Sequence, residues 1–374
     1  MEAVDIATLP PGVDLGAFFE VQREAGARFY ESSSGALWTQ GFGDPETEYR
    51  AVRHRTGLWD VSSLAKYRLV GRDVLPALDR LTTRAMLGAE AGTVRYGMIL
   101  NDDGLMLDEG TSLVLSTEEA FLLGNDAGDR FLGHLVDRTT HLDVRIEHVT
   151  AQISNISIQG PGSLEILSGL TDTDLEALRW FRLLPEPIEL AGVRGLLVRA
   201  GFTGERGYEF YLLDGRTGAE RLWNRIVEAG ATPFGFDAVD MLRVEAGLVM
   251  RNREYVAGAT SPYDLSFDRF IDLDHEFVGR DACVATAAAP PRRLVTLTFE
   301  GGEALERGAR VSAPAGPVGV VTSAVVTPEY GPLALAVVST ECSAVGTQVS
   351  VGERSATVRS LPIYDFDRRR PRAA

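Results

Sequence analysis

Arg199-Ala200-Gly201-Phe202-Thr203-Gly204-Glu205-Arg206-Gly207-Tyr208-Glu209-Phe210 places glycines and acids between two apolar runs of β type, Leu196–Val198 and Phe210–Leu213. Glycine accepts backbone angles that cost other residues, so the stretch reads as a hairpin that reverses tightly, close to a ligand. Glu209 heads the second run, where a carboxylate is expensive to bury without a partner. Two readings are open at this point. One is a solvent-exposed hairpin with a surface glutamate. The other is a carboxylate whose two oxygens hold a flat ring through adjacent N–H donors.

Outward from the hairpin, strand and helix patterns alternate. Apolar spacing over 12–30 predicts an opening helix, and 48–59 a second one. Residues 66–70 alternate like a strand and 73–81 like a helix. Residues 94–100, a turn at Asn101-Asp102-Asp103-Gly104, and 105–115 form a second hairpin. Helices are expected at 127–138, 162–170, 218–229 and 237–247, with strands within 144–158. Ala285-Thr286-Ala287-Ala288-Ala289-Pro290-Pro291-Arg292-Arg293 has the low complexity of a linker, which divides the chain into residues 1–284, a linker 285–293 and a last domain 294–374. Beyond it, short β-type runs at 294–299, 309–312, 317–326, 333–338, 348–351 and 355–358 suggest a small β-barrel or sandwich.

Composition narrows the function classes. With 374 residues the chain can bury a substantial core in two or three packed units. A hydrophobic share of 45% and a charged share of 24% are those of a soluble globular protein. No apolar run reaches membrane-spanning length, and Met1-Glu2-Ala3-Val4-Asp5 lacks the features of a secretory signal. Cys283 and Cys342 give no disulfide framework, and the histidines at 54, 134, 141, 148 and 275 have no metal-ligand spacing. A net charge of −16 opposes binding to nucleic acid. The expectation is a cytoplasmic protein with no metal, no membrane association and no nucleic-acid partner.

Two further segments carry acids that a structural sequence does not need. Asp108 and Glu109 interrupt the apolar strand 105–115. Because successive strand residues face opposite sides, one of the two is expected to point inward, where desolvation raises its pKa; both lying in water near the turn is the alternative. In Phe236-Asp237-Ala238-Val239-Asp240-Met241-Leu242-Arg243-Val244-Glu245-Ala246-Gly247, Asp240 and Arg243 share a helix face. They form either a plain ion pair or a site where the Arg243 fork grips a carboxylate.

In their order and separation these segments resemble the aminomethyltransferase family, which includes the T-protein of the glycine cleavage system. Phe202-Thr203-Gly204-Glu205-Arg206-Gly207-Tyr208-Glu209 resembles its YTGExGxE segment, and Asp240-Met241-Leu242-Arg243-Val244-Glu245-Ala246-Gly247 its DxLRxEAG helix. Trp59-Asp60-Val61-Ser62, Gln159-Gly160-Pro161, Phe277-Val278-Gly279-Arg280-Asp281-Ala282 and Leu361-Pro362-Ile363-Tyr364 fit as well, so the likeness runs from about residue 45 to 365. The resemblance implies an α+β, three-part, ring-like fold with tetrahydrofolate in a central channel and a small C-terminal β-barrel. It implies that Glu209, Phe202, Arg243 and Tyr208 bind the folate, Glu209 through the pterin N–H groups. Asp108, Glu109 and Tyr96 stand for the catalytic residues, with Asp108 near the folate nitrogens that accept the one-carbon unit.

The departures from the glycine cleavage pattern concern the one-carbon donor. Ser63-Leu64-Ala65 stands where the T-protein has His-Met-Gly, Phe202 replaces the tyrosine of YTGE, and Val249-Met250-Arg251-Asn252-Arg253-Glu254-Tyr255 replaces a Leu-Tyr-Gly type sequence. They favour a tetrahydrofolate-dependent methyltransferase or demethylase acting on a small O-, N- or S-methyl compound, with no lipoylated carrier protein expected. For such a donor, His54, Tyr96, Tyr255 or Tyr263 would supply a proton. Arg251 and Arg253 suit an anionic methyl donor or are ordinary surface arginines. The alternatives are a glycine-cleavage-type aminomethyltransferase using a lipoylated carrier, and a folate-binding accessory protein without turnover.

Overall fold

The computed structural model describes residues 15–31 and 37–373. The readings drawn from residues 1–14, including the leader and the start of the opening helix, lie outside them. Three bodies make up the molecule. The first is a seven-stranded sheet in which Arg182–Leu183, Val193–Arg199, Gly207–Leu212, Asn155–Gln159, Gly57–Asp60 and Thr232–Pro233 lie side by side, with Ile188–Leu190 added against Val193–Arg199. The second is a five-stranded sheet ordered Val94–Leu100, Met106–Val114, Glu119–Gly124, Ala65–Val70, Arg145–His148. The third is a closed barrel of Arg292–Phe299, Gly331–Ser339, Gly316–Thr327, Arg310–Ala313, Gln348–Val351 and Arg354–Arg359. Each of the six β-type runs expected after residue 293 is one of its strands, because alternation of small and branched residues packs both layers of a small barrel.

Each sheet covers one face with its own helices and gives the other to a shared core. Behind the seven-stranded sheet, Leu58, Ile156, Ile158, Tyr208 and Phe210 pack on Leu222, Trp223 and Ile226 of the helix Ala219–Glu228. Behind the five-stranded sheet, Tyr67, Leu69 and Leu122 pack on Val74, Leu75 and Leu78 of the helix Val74–Leu81. Between the sheets, Val94, Leu113, Phe121 and Leu123 of one meet Leu196, Val198 and Tyr211 of the other. A further core joins all three bodies: Trp59, Met98, Leu242 and Val244 pack there with the barrel residues Leu333, Leu335 and Val337. Each fully buried aliphatic or aromatic side chain contributes about 1.5–3 kcal/mol, so this junction holds the parts as one structure.

Local chemistry explains where the expected elements shift. The second helix spans Pro45–His54, opened by Pro45 in its first turn and by Asp44, whose carboxylate accepts from Thr47 N at 2.9 Å. It stops earlier than its apolar spacing predicts, because Gly57–Asp60 is a strand of the seven-stranded sheet. A Cβ at Gly57 would lie 2.5 Å from Val52 and 2.7 Å from the Phe234 ring, so only glycine fits there. The opening helix is reduced to Phe19–Glu24, followed by the strand Arg28–Glu31. The expected linker is also corrected. The helix Arg280–Ala287 runs into it and a barrel strand begins at Arg292, since alanine favours helix as readily as it fills linkers.

Candidate functional site

The register of the seven-stranded sheet decides which side chains share a surface. Glu209 pairs with Val198 on one side and Ser157 on the other, and Ser157 pairs with Trp59. Directly opposed residues of antiparallel strands project to the same face, so Trp59, Ser157, Glu209 and Val198 form one row. Tyr211 and Asn155 form the next row on that face. Tyr208 projects the other way with Leu58 and Ile158, and its ring is fully buried in the core behind the sheet. The expectation that Tyr208 binds the folate is therefore corrected: one residue of displacement along a strand reverses the face.

The glycines of the opening stretch also have a different task from the one expected. Gln159 is completely buried and hydrogen-bonds to Ser157 Oγ at 2.9 Å and Ala200 O at 3.1 Å, while accepting from Thr203 Oγ1 at 2.9 Å. A Cβ at Gly201 or Gly207 would come within 2.0 and 2.2 Å of the Gln159 side chain. These two glycines make room for Gln159, which staples the hairpin to the neighbouring strand. Only Gly204, at φ +82, is needed for the reversal itself.

Glu209 is part-buried, and the Tyr211 hydroxyl donates to its Oε2 at 2.5 Å. Burial raises its carboxyl pKa, opposed by the Tyr211 bond and by the charge of Lys66. Lys66 itself is 1% exposed; its Nζ donates to the carbonyls of Ser62 at 3.0 Å and Leu64 at 2.8 Å. Burial pulls this ammonium down to about 7, with Asp60 and Glu209 acting against the fall. Both polar atoms of the Asn155 side chain, and Trp59 Nε1, are buried with no hydrogen-bond partner among the described residues.

The second cluster is built where the strands Met106–Val114 and Glu119–Gly124 run together. Asp108 is fully buried and accepts from four donors: Asn125 N at 2.8 Å, Asn125 Nδ2 at 3.0 Å, Asp126 N at 2.9 Å and the Tyr255 hydroxyl at 3.0 Å. Its Oδ2 would lie 2.6 Å from a Cβ on Gly124, so that glycine lets the carboxylate lie over the strand end. Glu109 is 8% exposed, accepts from the same Asn125 Nδ2 at 2.9 Å and is hydrogen-bonded to the Tyr96 hydroxyl. The expectation of a single inward acid is thus corrected. The backbone does alternate, but Asn125 closes the strand end and reaches both carboxyls. Desolvation, then the Asp108 charge, push Glu109 up to about 7, while Asp108 is raised by burial against its hydrogen bonds from Asp126 and Asn125 and the charge of Arg251. One carboxyl rich in donors therefore stands beside one that retains its proton near neutrality.

The other expected residues divide. Tyr96 is part-buried and packs edge-on against Phe270 at 5.0 Å and Phe267 at 6.0 Å. Phe202 is part-buried against the core that joins the three bodies. Arg243 is a correction: it is fully buried and spent on internal partners, Asp240 at 2.6 Å, Glu254 at 2.7 Å, Ser323 Oγ at 2.5 Å and Leu248 O at 3.2 Å. A guanidinium with these partners has no fork left for a ligand carboxylate. Arg251 pairs with Asp126 at 2.7 Å and Arg253 with Asp240 at 3.5 Å, and His54 is exposed at its helix end. Sequence reasoning missed Asn125, Lys66 and Asn155. Gly124-Asn125-Asp126 reads as a turn, and a lone polar residue in an apolar strand carries no pattern of its own. No helix among the described residues is long and apolar enough to cross a membrane, and none of their acids, histidines and cysteines group as metal ligands.

Comparison with known proteins places the chain. Residues 16–275 match the GCVT N-terminal domain, and residues 292–365 match the glycine cleavage T-protein C-terminal barrel domain. The aminomethyltransferase of Saccharopolyspora erythraea is 32% identical over 359 residues, covering 92% of this chain and 96% of that protein. The aminomethyltransferase of Streptomyces avermitilis is 33% identical over 340 residues, with 86% and 90% covered. The crystal structure of glycine cleavage system aminomethyltransferase T from Bartonella henselae superposes with a TM-score of 0.84, covering 93% of this chain and 97% of that one at 22% identity, a likeness of fold. These relatives overturn the expectation that a lipoylated carrier protein is not a partner, and they give no support to a demethylase branch. The departures at Ser63-Leu64-Ala65 and Phe202 leave the chain within the family.

Proposed function

Since the chain belongs to the glycine cleavage T-protein family, we propose that it is an aminomethyltransferase that takes its one-carbon unit from a lipoylated carrier protein and passes it to tetrahydrofolate. Tetrahydrofolate is the cofactor of this family. The observation that carries the reading is family membership across both domains, joined to two clusters of buried groups suited to the two halves of the task. The face bearing Glu209 fits a flat ring with N–H donors: it offers a carboxylate that takes a hydrogen bond from Tyr211, and polar atoms of Trp59 and Asn155 that no described residue satisfies. In this reading Glu209 anchors the pterin, and Phe202 and Tyr96 line its path. Asp108 supplies a fixed negative charge where positive charge develops at the transferred carbon, and Glu109 holds a proton beside it. Asn125 positions both carboxyls.

The test is direct. Purified protein, tetrahydrofolate and an aminomethyl-loaded lipoyl carrier are expected to yield 5,10-methylenetetrahydrofolate and ammonia. A protein inert toward the loaded carrier, yet forming 5-methyltetrahydrofolate from small methyl donors, would overturn the proposal.

A further inference from the structure

Asn155 presents an unusual balance of groups. It lies in the middle of the seven-stranded sheet, on the row beside Glu209, and its side chain is wholly buried. Its backbone is fully employed: the N–H donates to Ser62 Oγ at 3.1 Å, and the carbonyl oxygen accepts from Val61 N at 3.1 Å and from Ser62 Oγ at 3.2 Å. Yet Nδ2 and Oδ1 both lack partners among the described residues. Leaving one such group unpaired costs about 1–3 kcal/mol, so a donor and an acceptor left together on one side chain are a heavy local penalty for a sheet to carry. An apolar residue would fill the position at lower cost. The surroundings show the same pattern: Trp59 Nε1 on this face is also unpartnered, and Lys66, from the five-stranded sheet, is buried with two carbonyls hydrogen-bonded to its ammonium.

A donor and an acceptor side by side complement a ring edge that carries a carbonyl oxygen next to an N–H. Glu209 is the diagonal neighbour of Asn155 across the strand pair, about 7 Å away at such positions, a spacing that one bicyclic ring bridges. We propose that Asn155 is a specificity-determining residue of the ring site: Nδ2 donates to the ring carbonyl and Oδ1 accepts from the adjacent ring N–H, next to the edge held by Glu209. This rests on the reading of Glu209 as the ring anchor. It assigns the chemistry of the second edge, and with it the exclusion of bicyclic rings that carry no carbonyl there.

The inference separates folding from binding, since the same side chain burdens the free protein and serves the complex. Asn155→Leu is expected to raise the thermal midpoint of the ligand-free protein while weakening tetrahydrofolate binding, measured by calorimetry, by about tenfold or more. Asn155→Ala serves as a second variant should leucine not be accommodated, with the same loss of affinity expected. Glu209→Ala is measured in parallel. Wild-type protein that fails to bind tetrahydrofolate would remove the ring-site reading as a whole. Wild-type binding that is unchanged in both Asn155 variants, or a lower midpoint with unchanged affinity, would overturn the role of Asn155 alone.

Discussion

The two clusters differ in how completely the protein satisfies its own polar groups. Around Asp108, donors fill the capacity of the carboxylate: two backbone amides, one side-chain amide and one phenol converge on it. Around Glu209, the carboxylate has one tyrosine, and the neighbouring asparagine, indole and ammonium are under-provided. The first is built so that its charge and orientation do not depend on what binds, as preorganised electrostatics requires. The second leaves its hydrogen-bonding capacity for a ligand, which converts a folding cost into recognition. A one-carbon transferase needs both kinds of surface, one that holds charge still and one that reads a ring.

Four substitutions test that contrast. Asp108→Asn keeps the shape but removes the charge that the four donors surround. It is expected to lower kcat by about 100- to 1,000-fold with a smaller change in tetrahydrofolate affinity, which single-turnover kinetics and calorimetry would separate. Equal losses in both would move Asp108 into the binding surface and blur the distinction. Glu109 bears on the same cluster through pH. Its folded pKa, about 7, lies above its ordinary value of 4.5, so the folded state holds a proton that the unfolded state has released between those values. Its stabilisation is complete below 4.5 and is lost as pH rises through 7. Relative to Glu109→Gln, the wild type is expected to lose about 3 kcal/mol of unfolding free energy between pH 4.5 and 8, measured by urea titration. Parallel curves for the two proteins would mean that Glu109 is ionised throughout.

On the ring-reading side, Glu209→Ala is expected to weaken tetrahydrofolate binding by about 10- to 100-fold, with a smaller loss in thermal midpoint from the Tyr211 bond and the Lys66 counter-charge that go with it. A large fall in midpoint with affinity intact would make it a structural acid. Tyr208→Phe is the smallest expected effect. Its hydroxyl is buried on the opposite face with no partner among the described residues. Affinity should stay within about twofold of wild type, and the midpoint should hold or rise slightly. A clear loss of binding would show that the two faces of this strand are coupled.

Much of this arrangement was legible in the chain. The six barrel strands, the two hairpins and the helices near 219–228 and 236–245 follow from periodicity and turn residues, which act locally. The acids at 108, 109 and 209 stand out because carboxylates interrupt apolar strands. What could not be read depends on contacts between distant segments. Arg243 resembles a ligand-binding arginine until Glu254 and Ser323, from a later loop and from the barrel, occupy it. Tyr208 and Glu209 sit in one motif, and only the register with Asn155–Gln159 separates them onto opposite faces. Asn125 hides in a turn because the partners it bridges lie on another strand.

The arginine that was expected to meet a ligand has a wider consequence where it actually lies. Through Glu254 and Ser323, Arg243 ties the helix Phe236–Glu245 to the barrel strand Gly316–Thr327, and Arg53 ties Glu245 of the same helix to Glu205 in the glycine-rich hairpin. Removing the barrel would leave both ion pairs in place but take Ser323 Oγ from Arg243 and the Thr322 and Ser323 hydroxyls from the buried Glu254, at about 1–3 kcal/mol for each group left unpaired. The two regions that match separate sequence profiles therefore share a single fate. Neither is a spare part that the chain could lend, exchange or lose while the other goes on working.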